Sequence, residues 1–331
     1  MQTRHVTRKI HTTPILEESY RFSSRLMISS SIYGCFMEEA WRRKLRRYEN
    51  EWVRRRLTER FCLYGNPTLD LINDQLGRRW QYGGGVFYSS LPLLMRGFEV
   101  EIYSIVSHPI IDHPVYKYVK PLQYSSDYNI FYLMYDSRGS RYFKVIRTAP
   151  QLYDHCIHEE DCIAIVNPVL QEISVNLVKR LAVKSSILAG DIQGFIRMKQ
   201  GDSMVLKPGP LLIEVLKEIE ILHMDVDEAR ALINNFSFNE IIEKLTKFSR
   251  GKALVITNGP GDVTIISDGK VLKIPHKGKV VKDATGAGDF FLGTLVAYFT
   301  KLNNVTESAY KSIEETEVWL EKRLHRHPLP G

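Results

Sequence analysis

The run Lys282-Asp-Ala-Thr-Gly-Ala-Gly-Asp-Phe-Phe-Leu292 combines small residues with a carboxylate just ahead of an apolar stretch. Thr285, Gly286, Ala287 and Gly288 would place bare backbone N–H groups at the start of the following helix. The first N–H groups of a helix have no internal partner, and the helix dipole favours an anion there. Asp289 then falls in the first turn, beside that anion site. A carboxylate there repels a resting phosphate, but as a base it suits a reaction that takes a hydroxyl proton while the amides hold a transferring phosphoryl group. The competing reading is structural: Asp289 caps a helix behind a glycine turn.

Other polar residues stand where strands end. Asp70 follows the turn at Gly65-Asn66, where a carboxylate can accept bonds from two vicinal hydroxyls or can cap the turn itself. Asp225 and Glu228 lie three residues apart, one helical turn, so both could face the water shell of one Mg²⁺, or form a surface acidic pair. Arg197 is within sequence reach of the same region and could meet a phosphate.

The elements that must carry these residues alternate. Phe61 to Gly65 reads as a strand ending in a glycine turn, Val86 to Arg96 as a helix closed by Gly97, and Glu99 to Val106 as the next strand. Cys162–Val166, Ser186–Ala189 and Ala253–Thr257 are short buried strands. Leu211–Ile219, Val226–Ile233 and Asp289–Phe299 are helical. This alternation predicts an α/β fold of three layers, a mostly parallel sheet with helices on both faces. Ligands of such sheets gather at the carboxyl ends of the strands. Tyr128–Tyr135 and Ser140–Arg147 break the pattern as a β-hairpin about Asp136-Ser-Arg-Gly139, apolar on both faces. A lone hairpin is unstable in water, so it is expected to cover a substrate or a second copy of the chain, as a small β lid near 123–148.

Asp283-Ala-Thr-Gly-Ala-Gly-Asp289 resembles the C-terminal signature of the ribokinase/PfkB carbohydrate-kinase family, and the chain from about residue 61 follows that family in order. The resemblance implies an ATP-dependent kinase with Mg²⁺, Asp289 as general base and the backbone of Gly286, Ala287 and Gly288 as anion hole. It implies substrate contacts from Asn66, Asp70, Gly84 and Gly85, and nucleotide contacts from Thr257, Gly259, Gly261 and Thr285. Asp225 and Glu228 sit where the family carries an Asn-x-x-Glu motif that organises Mg²⁺ through water. The chain departs from the family pattern in three places. No asparagine follows the glycine run, the acidic motif reads Asp-x-x-Glu, and Asp191-Ile-Gln193 stands where relatives often show Asp-x-Asn. With the lid, these features are similar to the inositol-kinase branch. A sugar, a polyol such as myo-inositol, or a nucleoside is the implied acceptor. A silent ligand-binding protein on the same fold is the reading from another class, against which the intact Asp289 and glycines argue.

The 331 residues are 44% hydrophobic and 25% charged, an ordinary globular composition. No run approaches the roughly 18 apolar residues needed to span a bilayer, so a cytoplasmic protein is expected. Residues 1–60 hold 14 Lys and Arg against 7 Asp and Glu, while 61–331 hold 31 of each. The whole excess of +7 therefore lies in an N-terminal extension, and the body has no basic field to gather nucleic acid. Within that extension 37–60 reads as a helix with a stripe of Trp41, Leu45, Tyr48 and Trp52. It would pack on the body or bind nucleic acid or a membrane surface, unless the chain starts at Met27 or Met37. Cys35, Cys62, Cys156 and Cys162 form no CxxC pair and have no histidines at zinc-finger spacing, which predicts buried or incidental thiols in a reducing cytosol.

Overall fold

The computed structural model describes residues 60–331 apart from 75–76, 136–140, 155–156, 159–160, 234–236, 280, 282 and 325–331. The described residues belong to the compact unit Thr58–Gly331. The expected helix 37–60 and the hairpin turn 136–139 lie outside them, Arg60 excepted. Arg60 opens the first strand and meets the buried Glu101 at 2.6 Å, so strand pairing reaches one residue into the stretch that charge assigned to the extension.

A nine-stranded sheet forms the body, in the order β15-β14-β13-β12-β9-β8-β1-β4-β5. Its seven parallel strands are β1 (Arg60–Tyr64), β4 (Glu99–Val106), β5 (Val119–Tyr124), β8 (Ile163–Val166), β9 (Ile187–Asp191), β12 (Ile221–Asp225) and β13 (Ala253–Thr257). The antiparallel pair β14 (Val263–Ser267) and β15 (Lys270–Ile274) closes one edge. The central strands are buried on both faces, as their continuous apolar runs require. One face packs Leu177, Leu181, Val215 and Leu245 from helices α2 (Val175–Lys184), α4 (Leu212–Glu218) and α6 (Phe238–Thr246). The other packs Val86 and Leu93 of α1 (Gly85–Met95) with Phe291, Leu292 and Leu295 of α7 (Ala287–Leu302). The last described helix is α8 (Val305–Leu324), laid along α7.

The hairpin is not alone. A second sheet of six strands runs β10-β11-β7-β6-β2-β3. It joins β6 (Ile130–Tyr135) and β7 (Arg141–Arg147) to β2 (Thr68–Asp74), β3 (Gly77–Gly83), β10 (Arg197–Gln200) and β11 (Ser203–Leu206). The expected instability of a free hairpin is thus met by four further strands. Ile72, Phe131, Leu133 and Val145 are buried beneath this sheet with Val169 and Leu170. Among the described residues no helix is long and apolar enough to cross a membrane.

Candidate active site

Strand ends of the main sheet, the start of α7 and the inner face of the second sheet enclose one cavity of about 450 Å³. Its centre is the turn into α7. Gly286 precedes the helix in the left-handed region, with φ +80°, which favours glycine. A Cβ there would also lie 2.2 Å from the Tyr88 ring of α1, so the turn rests directly on that ring. A Cβ on Gly288 would come within 2.9 Å of His223 Cε1. The glycines are therefore required by side chains packed beneath the turn as well as by anything bound above it. Thr285 N–H donates to Asp283 Oδ1 at 3.0 Å, and Arg323 of α8 bonds Asp283 Oδ2 at 3.0 Å and the Thr285 carbonyl. The N–H of Ala287 closes onto the Ala284 carbonyl. Thr285, Gly286, Ala287 and Gly288 all line the cavity, Ala287 with its own N–H already engaged in that turn.

Asp289 sits in the first turn of α7 and lines the same cavity. Its Oδ1 accepts from Asn167 Nδ2 at 3.0 Å and from Gln193 Nε2 at 2.8 Å, and Gln193 also reaches Asn167 Oδ1 at 3.0 Å. Its enclosed surroundings, with Asp191 nearby, push the Asp289 carboxyl up to about 6, against the pull of Asn167, Arg197 and His223. A carboxyl poised there is ionised at neutral pH yet still basic. Behind it lies the buried pair Asp191–His223, with Nδ1 to Oδ2 at 2.6 Å; His223 Nε2 meets Thr257 Oγ1 at 3.1 Å. Burial alone would lower the His223 imidazole, but the Asp191 carboxylate outweighs it and the net shift is upward.

Asn167 and His223 were not singled out from sequence, and Gln193 was noted only as a departure. Each stands at or near the end of a parallel strand: Asn167 one residue beyond β8, Gln193 two beyond β9, His223 inside β12 between Leu222 and Met224. For His223, a polar residue inside an otherwise apolar parallel strand was the available signal; Asn167 and Gln193 lie beyond their strands and carried none of that kind.

On one side of Asp289, Asp70 of β2, Gly84, Gly85 and Tyr88 face the cavity, with Phe131, Leu133 and Phe143 of the second sheet as an apolar wall. A Cβ on Gly83 would stand 2.4 Å from Asp70 Oδ2, so that glycine lets the carboxylate in. His113 holds the Gly83 carbonyl through Nε2 at 3.1 Å; burial pushes this imidazole down to about 4, and it stays neutral. Asn66 is not brought in. Its Oδ1 accepts from Ser104 Oγ and Ile105 N–H, both at 3.0 Å, which pins the turn after β1 to β4.

Elsewhere the cavity is lined by Thr257, Gly259 and Pro260 together with Val263, Val281, Ile313 and Leu320. Gly261, expected here, does not line the cavity; its N–H closes a turn onto Asn258 O at 2.7 Å. Asp225 and Glu228 both line it, and both have a local task. They form a capping box at the start of α5 (Val226–Leu232): Glu228 N–H donates to Asp225 Oδ1 at 2.7 Å and Asp225 N–H to Glu228 Oε2 at 3.0 Å. Glu228 Oε1 also accepts from Arg197 at 3.2 Å, so the arginine expected to meet a phosphate faces a carboxylate. Burial, with Asp191 close by, pushes the Glu228 carboxyl up to about 8 despite Arg197.

Residues 195–312, which include Arg197, Asp225, Glu228 and the turn into α7, match the model of the pfkB family carbohydrate kinases. No curated protein sequence matches the chain. A pyrophosphate-dependent kinase of the ribokinase family, solved with sulfate, is 20% identical at a TM-score of 0.70 over 82% of this chain and 97% of its own. A pyrophosphate-dependent myo-inositol-1 kinase, converted by two mutations into a myo-inositol-3 kinase, is 20% identical at 0.68 over 82% and 94%. A ribokinase from Thermotoga maritima is 14% identical at 0.60 over 78% and 92%. Residues 195–312 thus carry a pfkB-family carbohydrate-kinase match, within a chain whose fold is ribokinase-like.

Proposed function

We propose that the protein transfers the terminal phosphoryl group of ATP to a hydroxyl of a polyol or sugar, with myo-inositol the first acceptor to test. The observation that carries this reading is Asp289: a carboxyl shifted towards neutrality, fixed by Asn167 and Gln193, one residue beyond the glycine turn and in one cavity with Asp70. Asp70 accepts hydrogen bonds from acceptor hydroxyls and sets the attacking one against Asp289. Asp289 takes its proton as the oxygen bonds to phosphorus, and the bond to the leaving phosphate breaks. The amides of Gly286 and Gly288 hold the phosphoryl oxygens. The aromatic and aliphatic wall of the second sheet excludes water, which would otherwise compete as acceptor.

Mg²⁺ fits the acidic pair only through water. Both Glu228 oxygens are engaged and its carboxyl is shifted up, which leaves Asp225, partly exposed to the cavity, as the group to hold a hydrated ion. When bound, the ion neutralises charge on the donor phosphates.

A second donor, pyrophosphate, is favoured by the structural likeness to pyrophosphate-dependent kinases. A matrix of ATP and pyrophosphate against inositols, hexoses, pentoses and nucleosides, read by ³¹P NMR, tests both readings. Phosphorylated polyol or sugar is expected; transfer to nucleosides alone, or to none, overturns the acceptor class.

A further inference from the structure

The cysteines depart from the sequence reading. Cys62 of β1 and Cys162, one residue before β8, form a disulfide across 100 residues of chain, with Cα atoms 6.1 Å apart. His158 completes the group: one ligand atom from each of the three lies within 4.8 Å of the others. Cys62 is 0%, His158 1% and Cys162 3% exposed. His158 is held from behind, its N–H donating to Tyr64 Oη at 2.8 Å and its Nδ1 bonded to the same oxygen at 3.1 Å. Its Nε2 is buried without a hydrogen-bond partner of good geometry, although the Lys184 main chain lies close by. A buried ring nitrogen left in that state costs free energy unless something binds it.

We propose that Cys62, Cys162 and His158 form a binding site for a single soft d¹⁰ metal ion, Zn²⁺ or Cu⁺, available when the disulfide is reduced. Two thiolates and an imidazole in a dry site select such ions over hard cations such as Mg²⁺. Tyr64, bonded to Nδ1, holds the imidazole in place as outer partners of metal-bound histidines do. The chemistry balances with a thiol reductant. Two electrons from two reductant thiols cleave the S–S bond, their two protons pass to Cys62 and Cys162, and the reductant leaves as its own disulfide. Binding of the metal then releases both protons. Disulfide and metal are therefore alternative ties between β1, which leads to Asp70, and β8, which leads to Asn167.

The test uses the full chain. Protein reduced with a dithiol is desalted without oxygen and titrated with Co²⁺, whose thiolate charge-transfer absorption reports the ligands. One Co²⁺ per chain is expected, displaced by Zn²⁺, with no such absorption in the oxidised protein. Cys62→Ser and Cys162→Ser should each lose it, His158→Gln should weaken binding at least about tenfold, and the Cys35→Ser/Cys156→Ser double variant should keep it. The reduced-against-oxidised comparison needs no variant and stands if a substitution impairs folding. Absence of the band in fully reduced protein, its persistence in Cys62→Ser or Cys162→Ser, or its loss in the double variant would overturn the assignment.

Discussion

At the scale of single residues, the account turns on how Asp289 is held. Its carboxyl, raised to about 6, must be ionised to take a proton, so kcat/KM should fall as pH drops through about 6 and level off above it. The Asn167 hydrogen bond favours the ionised form; removing it in Asn167→Ala should carry that limb to higher pH, by about one unit or more, with a lower plateau. A pH–rate profile reads both, and a limb that stays in place or moves down would show that Asn167 does not set the base. The glycines make a separate point. From their positions alone they have one reason to be there, bare amides for an anion. The structure adds another, since Tyr88 and His223 fill the space where their side chains would go. Gly286→Ala meets both a ring and a left-handed backbone, a cost of about 1–2 kcal/mol from the backbone alone. Gly288→Ala meets only the edge of an imidazole. Thermal unfolding should therefore fall further for Gly286→Ala; equal losses would mean that Tyr88 yields freely.

Among the elements, five of the seven parallel strands and α7 were legible because their signals are local apolar runs; β5, which is mixed polar and apolar, and β12, interrupted by His223, were not. The second sheet was legible only in its hairpin. Leu71 and Ile72 of β2 are interleaved with Asp70, Asn73 and Asp74, and β3 carries Arg78 and Arg79, so neither reads as a buried strand. The place of β2 is fixed by partners more than 50 residues away, with Leu71 opposite Tyr132 and Ile72 opposite Leu133, and β3 pairs in turn with β2. Asp225 and Glu228 show the opposite limit. Spacing placed them together correctly, but a capping box and a metal shell have the same spacing, and only the partners of each oxygen separate the two. Asp70, carried into the cavity by β2, gives the test at this scale. Asp70→Ala should raise the acceptor KM by about 10- to 150-fold, the loss of a charged hydrogen-bond partner worth about 1.5–3 kcal/mol. The donor KM should stay within a few-fold. A rise confined to the donor would move the acceptor site elsewhere.

For the whole molecule, charge divides the chain more sharply than hydrophobicity does. Residues 1–60 carry the entire excess of +7, and the described residues that line the cavity all come after them. Deleting residues 1–36 should leave kcat/KM within a few-fold. A deletion through Arg60 removes the first residue of β1 and its ion pair with the buried Glu101, and should lower the unfolding temperature. Loss of activity in the shorter deletion without loss of stability would place part of the extension at the site. The central claim is that Asp289 is the base of a phosphoryl transfer. The most direct measurement compares Asp289→Asn with the unaltered chain, with transfer to the accepted hydroxyl followed by ³¹P NMR and donor affinity by calorimetry. A drop in kcat of about 10²–10⁴, with donor Kd within a few-fold, is the expected result. A variant that keeps more than half of the original kcat would contradict the account.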